Sequence, residues 1–209
     1  MRSYIKEFSE RPPYFAEYLF FERHHGDSAG PILEIGCSVG HLMRHGAAKK
    51  IGIDYDLAAL TQARAKQFPV ALMDVQRGLS FKDNSFTSIE CQHVIEHVKN
   101  PLFVLQECCR VLKPGGKLVV VTPNIKKIGF DFYEDYSHIS PFIKKSLMRI
   151  AYDAGFSEFD VEAMHVGYPL SKFLYNRGWL SLRSALKIQS MLYAFGMKAV
   201  QTLVLVAKK

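Results

Sequence analysis

The stretch Pro31–Asp54, PILEIGCSVGHLMRHGAAKKIGID, restricts the fold more than any other part of the chain. The apolar run Ile32–Leu33–Glu34–Ile35 reads as a buried strand, and the turn Gly36–Cys37–Ser38–Val39–Gly40 follows it. A short helical segment, His41 to Ala47, leads to a second apolar strand, Ile51–Gly52–Ile53, which ends in Asp54. Strand, glycine turn, helix, strand and terminal acid make half of a nucleotide-binding βαβ unit. The glycines let main-chain N–H groups approach a ligand with no Cβ in the way. Asp54 falls 18 residues after Gly36, close to the spacing of about 20 at which a carboxylate grips ribose hydroxyls.

Further β–α alternations follow. Asp56 caps a helix from Leu57 to Gln67, closed by Phe68–Pro69. Val70 to Met73 forms a third strand before Asp74, and Phe86 to Cys91 a fourth, so Gln92 and His93 fall at a strand's carboxyl end. Doubly wound sheets hold ligands at that end. Asn100–Pro101 opens a helix to Leu112 as N-cap and first helical residue. Pro114–Gly115–Gly116 turns the chain into a fifth strand, Lys117–Thr122. Residues 125–138 form a polar and aromatic loop, and Ser140–Pro141 starts a helix to Ala154 with Gly155 after it. Phe156–Val166 and Thr202–Ala207 are the last two strands.

Two segments resemble one known family closely, and the glycine turn agrees with them. ILEIGCSVGHL is similar to the first signature of class I S-adenosylmethionine-dependent methyltransferases, hydrophobic–(E/D)–x–G–x–G–x–G, with Glu34, Gly36, Ser38 and Gly40 in register. Ser38 replaces the usual middle glycine, and a positive φ there would strain an L-residue. Gln92–Val98 with Asn100–Pro101, and Arg110–Gly116, resemble two further segments of the small-molecule, ubiquinone-biosynthesis-like branch. The resemblance implies a Rossmann-like, doubly wound α/β sheet of seven strands, mostly parallel with an antiparallel last strand and a helical insertion before it. The 209 residues then form a single domain. Residues 1–30 supply lid helices, 31–123 the cofactor-binding core, and 124–209 the substrate side with the insertion 167–201.

The implied cofactor is S-adenosylmethionine. Asp54 is expected on the ribose and Asp74 on the adenine amine, a donor facing an acceptor-only carboxylate. The Gly36–Gly40 main chain with Cys37 lies under the methionine part, Glu34 assists, and Tyr55, Val75 and Gln92 complete the cofactor set. A hydroxyl acceptor also needs a proton acceptor, for which imidazole suits neutral pH. His138 is the first candidate, because the resemblance puts a similar His near the acceptor pocket, and His93 the second. Residues 4–25, with Tyr14, Tyr18 and Phe21 at helical spacing, read as an amphipathic helix packing on the sheet, and the resemblance adds a lid in which Tyr4 or Tyr14 reaches the cofactor. His24 and His25 precede a loop signal and are expected at the surface.

No metal site is expected, since Glu96–His97 lacks H-E-x-x-H spacing. The four cysteines show no CxxC pattern, which suits reduced thiols in a cytoplasmic protein. Charge is uneven: residues 161–209 hold seven Lys/Arg against one Asp/Glu, most of the net +7. In that quarter Ala185, Ile188, Leu192 and Phe195 share one helical face, with Arg183 and Lys187 on another. This gives an ordinary amphipathic cap or a basic interfacial helix meeting anionic lipid. The expected acceptor is a small or lipid-linked molecule, with peripheral membrane contact through 167–201 and no nucleic acid. Two other readings stand beside methyl transfer: a non-catalytic cofactor-binding or membrane-associated partner protein, and a Rossmann-like oxidoreductase, which the GxSxG turn disfavours.

Overall fold

The computed structural model describes Phe21, residues 23–44, 49–165, Arg177, Trp179, Ser184 and residues 201–209. The lid with Tyr4 and Tyr14 and nearly all of the insertion 167–201 therefore lie outside the described residues. The strands are β1 (Ile32–Ile35), β2 (Lys50–Asp54), β3 (Val70–Leu72), β4 (Phe86–Gln92), β5 (Leu112–Pro123), β6 (Glu158–His165) and β7 (Gln201–Lys208). They form one seven-stranded sheet in the order β3-β2-β1-β4-β5-β7-β6. The first five run parallel, and β7 lies antiparallel between β5 and β6. Strand order reverses between β1 and β4, which makes their carboxyl ends the binding crevice of such a sheet.

Strand pleating gives the two faces different chemistry. Leu33, Ile35, Ile53, Ile89, Cys91, Leu118 and Val120 join one large apolar core with Leu105 and Cys108 of helix α2 (Pro101–Val111) and Leu147 of helix α3 (Lys144–Asp153). The alternate positions Glu34, Lys50, Ser88 and Glu90 are buried on the opposite face. There Lys50 Nζ lies 2.9 Å from Glu34 and 2.6 Å from Glu90, and it donates to the Leu42 carbonyl at 3.0 Å. Burial works to lower the Lys50 pKa, but the two carboxylates outweigh it and hold it above the ordinary lysine value. Helix α1 (Leu57–Ala65) starts where Asp56 accepts from the Ala58 and Ala59 N–H groups, and α2 starts on Asn100, which accepts from Phe103 N.

The structure corrects several boundaries. Only Leu42–Arg44 of the segment after the glycine turn is helical among its described residues, and as one tight turn. Helix α3 starts at Lys144, not Ser140, because the preceding residues are held extended. Ile139 and Ser140 donate to the Glu96 carbonyl, and buried Phe142 bridges to Asn124. Lys113–Gly116 belong to β5 as an irregularity between the Phe86–Leu112 and Ser88–Lys117 pairs, and Gly115 and Gly116 bond the chain end at Lys209. His24 and His25 are buried, not at the surface. His25 Nδ1 meets Ser88 Oγ at 2.7 Å, and its ring stacks on Phe21.

Two outcomes follow from this buried polar face. Lys50→Met leaves Glu34 and Glu90 uncompensated and is expected to cost about 3–5 kcal/mol in urea unfolding; an unchanged midpoint contradicts the role given to Lys50. Burial lowers the His25 pKa from 6.5 to about 4. As pH falls from 6.5 towards 4 the unfolded chain binds a proton that the folded one refuses, so stability drops by up to about 3 kcal/mol. His25→Gln is expected to flatten that acid limb.

Candidate functional site

The turn after β1 is built on three residues with positive φ: Gly36 (75°), Ser38 (47°) and Gly40 (82°). A Cβ on Gly36 would run into Val94, and one on Gly40 would meet the Phe68 ring at 2.6 Å, so both glycines are required by packing as well as by φ. Gly36 and Cys37 N–H both donate to the Ile53 carbonyl, at 2.8 and 3.0 Å. Ser38 N–H donates to Asp54 Oδ2 at 2.9 Å, and Asp56 N–H to Oδ1 at 2.8 Å. The turn is thereby laced to the end of β2. Burial raises the Asp54 pKa, while these main-chain donors pull against it. Each oxygen of that carboxylate keeps a second acceptor position, which fits a vicinal diol.

Asp74 stands on the same edge, just past β3, where its Oδ1 caps the turn Val75–Arg77 through Gln76 N–H at 3.0 Å. Its Oδ2 is 3.6 Å from Arg77 Nε. Tyr55, Leu57 and Leu72 are largely exposed on this rim, an apolar margin suited to a flat base. Leu57 and Leu72 escaped the sequence reading, because an exposed leucine at a helix start or a strand end carries no signal of its own. Val75 is buried in the main apolar core. Glu34 is 2% exposed and paired with Lys50, so it supports the turn from below. Cys37 also points inward, where burial raises its thiol pKa. Gln92 remains partly exposed and donates to Glu90 Oε1 at 2.6 Å.

A second group gathers at the carboxyl ends of β4 and β5. His93 is exposed, with φ 52°, and its Nδ1 is 3.1 Å from Glu96 Oε1. Glu96 is fully buried and accepts the Thr122 hydroxyl at 3.1 Å. His97 Nδ1 meets Ser137 Oγ at 2.9 Å, and Ser137 Oγ donates to Asp135 at 2.6 Å. That hydroxyl's proton is committed to Asp135, so His97 Nδ1 carries the hydrogen and donates. The Ser137 bonds hold the Asp135 carboxyl below the usual range. His138 Nδ1 is 2.6 Å from the Phe132 carbonyl and must donate to it, and the ring stacks on Phe132. In the neutral ring this leaves Nε2 of each imidazole as the acceptor, and His138 Nε2 lies 4.0 Å from Asp135 Oδ2. The His97 and His138 rings stand 4.7 Å apart. The sequence named His93 and His138 as proton acceptors, set Glu96–His97 aside and passed over Ser137; these residues meet only because the loop after β5 folds back onto the turn after β4.

Comparison with known proteins agrees with this geometry. Residues 33–120 match the family model described as a methyltransferase domain. A probable S-adenosylmethionine-dependent methyltransferase of Mycolicibacterium smegmatis is 33% identical over 146 residues, 63% of this chain and 54% of that protein. A ubiquinone biosynthesis O-methyltransferase of Nitrosococcus oceani is 37% identical over 123 residues, 54% of this chain and 50% of that protein. The chain spans about half the length of the curated relatives it matches first. Among solved structures, a SAM-dependent methyltransferase from Archaeoglobus fulgidus superposes with a TM-score of 0.65 at 19% identity, over 92% of this chain and 99% of that one. Haemonchus contortus phosphoethanolamine N-methyltransferase 2, bound to S-adenosyl-L-methionine, gives 0.68 at 20% identity, over 95% and 53%. Residues 33–120 thus carry a methyltransferase domain, and the curated relatives similar to this chain include S-adenosylmethionine-dependent methyltransferases.

Proposed function

We propose that the protein transfers a methyl group from S-adenosylmethionine to a hydroxyl of a small or lipid-linked acceptor. The observation that carries this reading is Asp54, fixed by the Ser38 and Asp56 N–H groups under a left-handed main-chain turn. When bound, S-adenosylmethionine supplies a methyl group already made electrophilic by its sulfonium. Asp54 accepts from the ribose hydroxyls, and Asp74, one strand over, from the adenine amine. Tyr55 and Leu72 cover the base, while the Gly36–Gly40 main chain underlies the methionine part. The chain's remaining work is to align an acceptor oxygen, keep water out and take up a proton.

For the proton, His93 is favoured over His138. His93 is exposed at the rim and its Nδ1 faces a buried carboxylate, the pairing that orients an imidazole and stabilises its protonated form. His138 is held inward by the Phe132 carbonyl. An O-methyltransferase among the relatives supports a hydroxyl acceptor. The basic balance of residues 161–209 supports one carried on an anionic lipid surface, met peripherally.

Calorimetric titration tests the cofactor half. S-adenosylhomocysteine is expected to bind and NAD not to, and Asp54→Ala to weaken S-adenosylhomocysteine by about 1–3 kcal/mol, the cost of orphaning hydrogen-bonded groups. Unchanged affinity in that variant removes Asp54 from the site. His93→Gln is expected to lower kcat by roughly 10²–10⁴-fold at unaltered cofactor affinity, in a screen of quinol, sugar-lipid and small-molecule hydroxyl acceptors. Wild-type turnover retires His93 as the base.

A further inference from the structure

We propose that Glu96, His97 and His138 form a site for one divalent transition-metal ion of the zinc class, with an open position for an acceptor oxygen. Its purpose rests on the methyl-transfer reading, but its existence does not. One ligand atom from each of the three residues lies within 4.8 Å of the other two. Donors bound at about 2.1 Å in tetrahedral geometry stand about 3.4 Å apart, so the side chains close on an ion by about an ångström through small χ rotations.

Three independent features point to a cation. The first is electrostatic. Glu96 is completely buried, and among the described residues no Lys or Arg lies within ion-pair distance of it; the basic groups around it are imidazoles, His93 at 3.1 Å and the rings of His97 and His138. Glu34 and Glu90, equally buried, share Lys50 for that purpose. A buried carboxylate without a cation is costly.

The second feature is tautomeric. His97 and His138 each spend Nδ1–H on an oxygen, Ser137 Oγ and the Phe132 carbonyl. In the neutral ring that leaves Nε2 as the lone-pair nitrogen a metal takes, with His138 Nε2 4.0 Å from Asp135 Oδ2, and an imidazole whose other nitrogen donates to oxygen is the usual outer arrangement of such ligands.

The third is mechanical. The turn Ile95–His97 and the segment carrying His138 are pinned together, since Ile139 and Ser140 N–H both donate to the Glu96 carbonyl. The ligands are thus held on joined supports before any ion arrives. Two imidazole nitrogens and one carboxylate oxygen select zinc and its borderline neighbours over magnesium or calcium, whose sites are built of oxygen. Three protein ligands leave a coordination position open, and an oxygen held there becomes more acidic. His93, bonded to the same carboxylate, is placed to accept that proton.

The test is titration of Zn²⁺ into chelator-treated full-length protein by calorimetry, with Co²⁺ absorption as a second readout. Saturable binding of one ion per chain is expected. His97→Ala and His138→Ala should each weaken it by more than about 100-fold, and Ser137→Ala by about tenfold, the usual loss for an outer partner. Glu96→Gln keeps the shape of the buried side chain should a smaller replacement unfold the protein, and it too should weaken binding. Absence of saturable binding, binding by the His97→Ala/His138→Ala double variant at wild-type affinity, or displacement of Zn²⁺ by equimolar Mg²⁺ would overturn the proposal. S-adenosylhomocysteine titrated in parallel keeps the two readings apart. If it binds and Zn²⁺ does not, only the metal site falls; if Zn²⁺ binds and it does not, only the methyl-transfer reading falls.

Discussion

Everything at the binding edge depends on one cation inside the sheet. Lys50 begins β2, and its ammonium reaches Glu34 of β1, Glu90 of β4 and the Leu42 carbonyl. Those three strands meet at the point where strand order reverses, and their carboxyl ends deliver the glycine turn, Asp54 and the Gln92–His93 corner. Two carboxylates on adjacent strands, directly opposite in register, would repel each other without it. The cluster then propagates outward, because Glu90 spends its other oxygen on Gln92 Nε2 and so orients a partly exposed amide at the rim. A charge group that is a doubtful source of net stability is here a strong source of register.

The edge divides into two parts of different chemistry. Towards β2 and β3 it offers main-chain N–H geometry, two carboxylates and exposed Tyr55, Leu57 and Leu72, all suited to hold a nucleoside without reacting with it. Towards β4 and β5 it offers imidazoles and one buried acid. Loops leaving a rigid sheet edge are where such groups accumulate, and here the sheet keeps the carboxylates and the imidazoles on neighbouring strands.

How much of this was legible in the sequence follows from the range of the interactions. The strands of the parallel core were readable because each is a short apolar run bounded by Gly, Asp, Asn or Pro. The caps at Asp56 and Asn100 were readable because they act within three residues. The burial of His24 and His25 was not, since it arises from the underside of β4, where Ser88 waits 63 residues away for His25. Nor was the late start of α3, which a carbonyl in another turn imposes. Glu34 matched a signature position, yet its partner Lys50 lies on the next strand, and only the sheet register shows that the acid faces inward. Nor was the meeting of Glu96 and His97 with His138 legible, since His138 arrives from a loop some 40 residues later.

Ser38 shows how the turn tolerates what the family pattern avoids. Its φ of 47° costs an L-residue about 1–2 kcal/mol. That conformation, however, is what aims its N–H at Asp54 Oδ2, a charge-assisted bond of comparable worth. The two flanking glycines are forced by Val94 and Phe68 and fix where the chain enters and leaves. Ser38 has little freedom left to relax, and the strain is absorbed by the same carboxylate that the turn exists to position. Pattern and departure are thus consistent: the main-chain geometry is kept, and Asp54 compensates for the missing glycine.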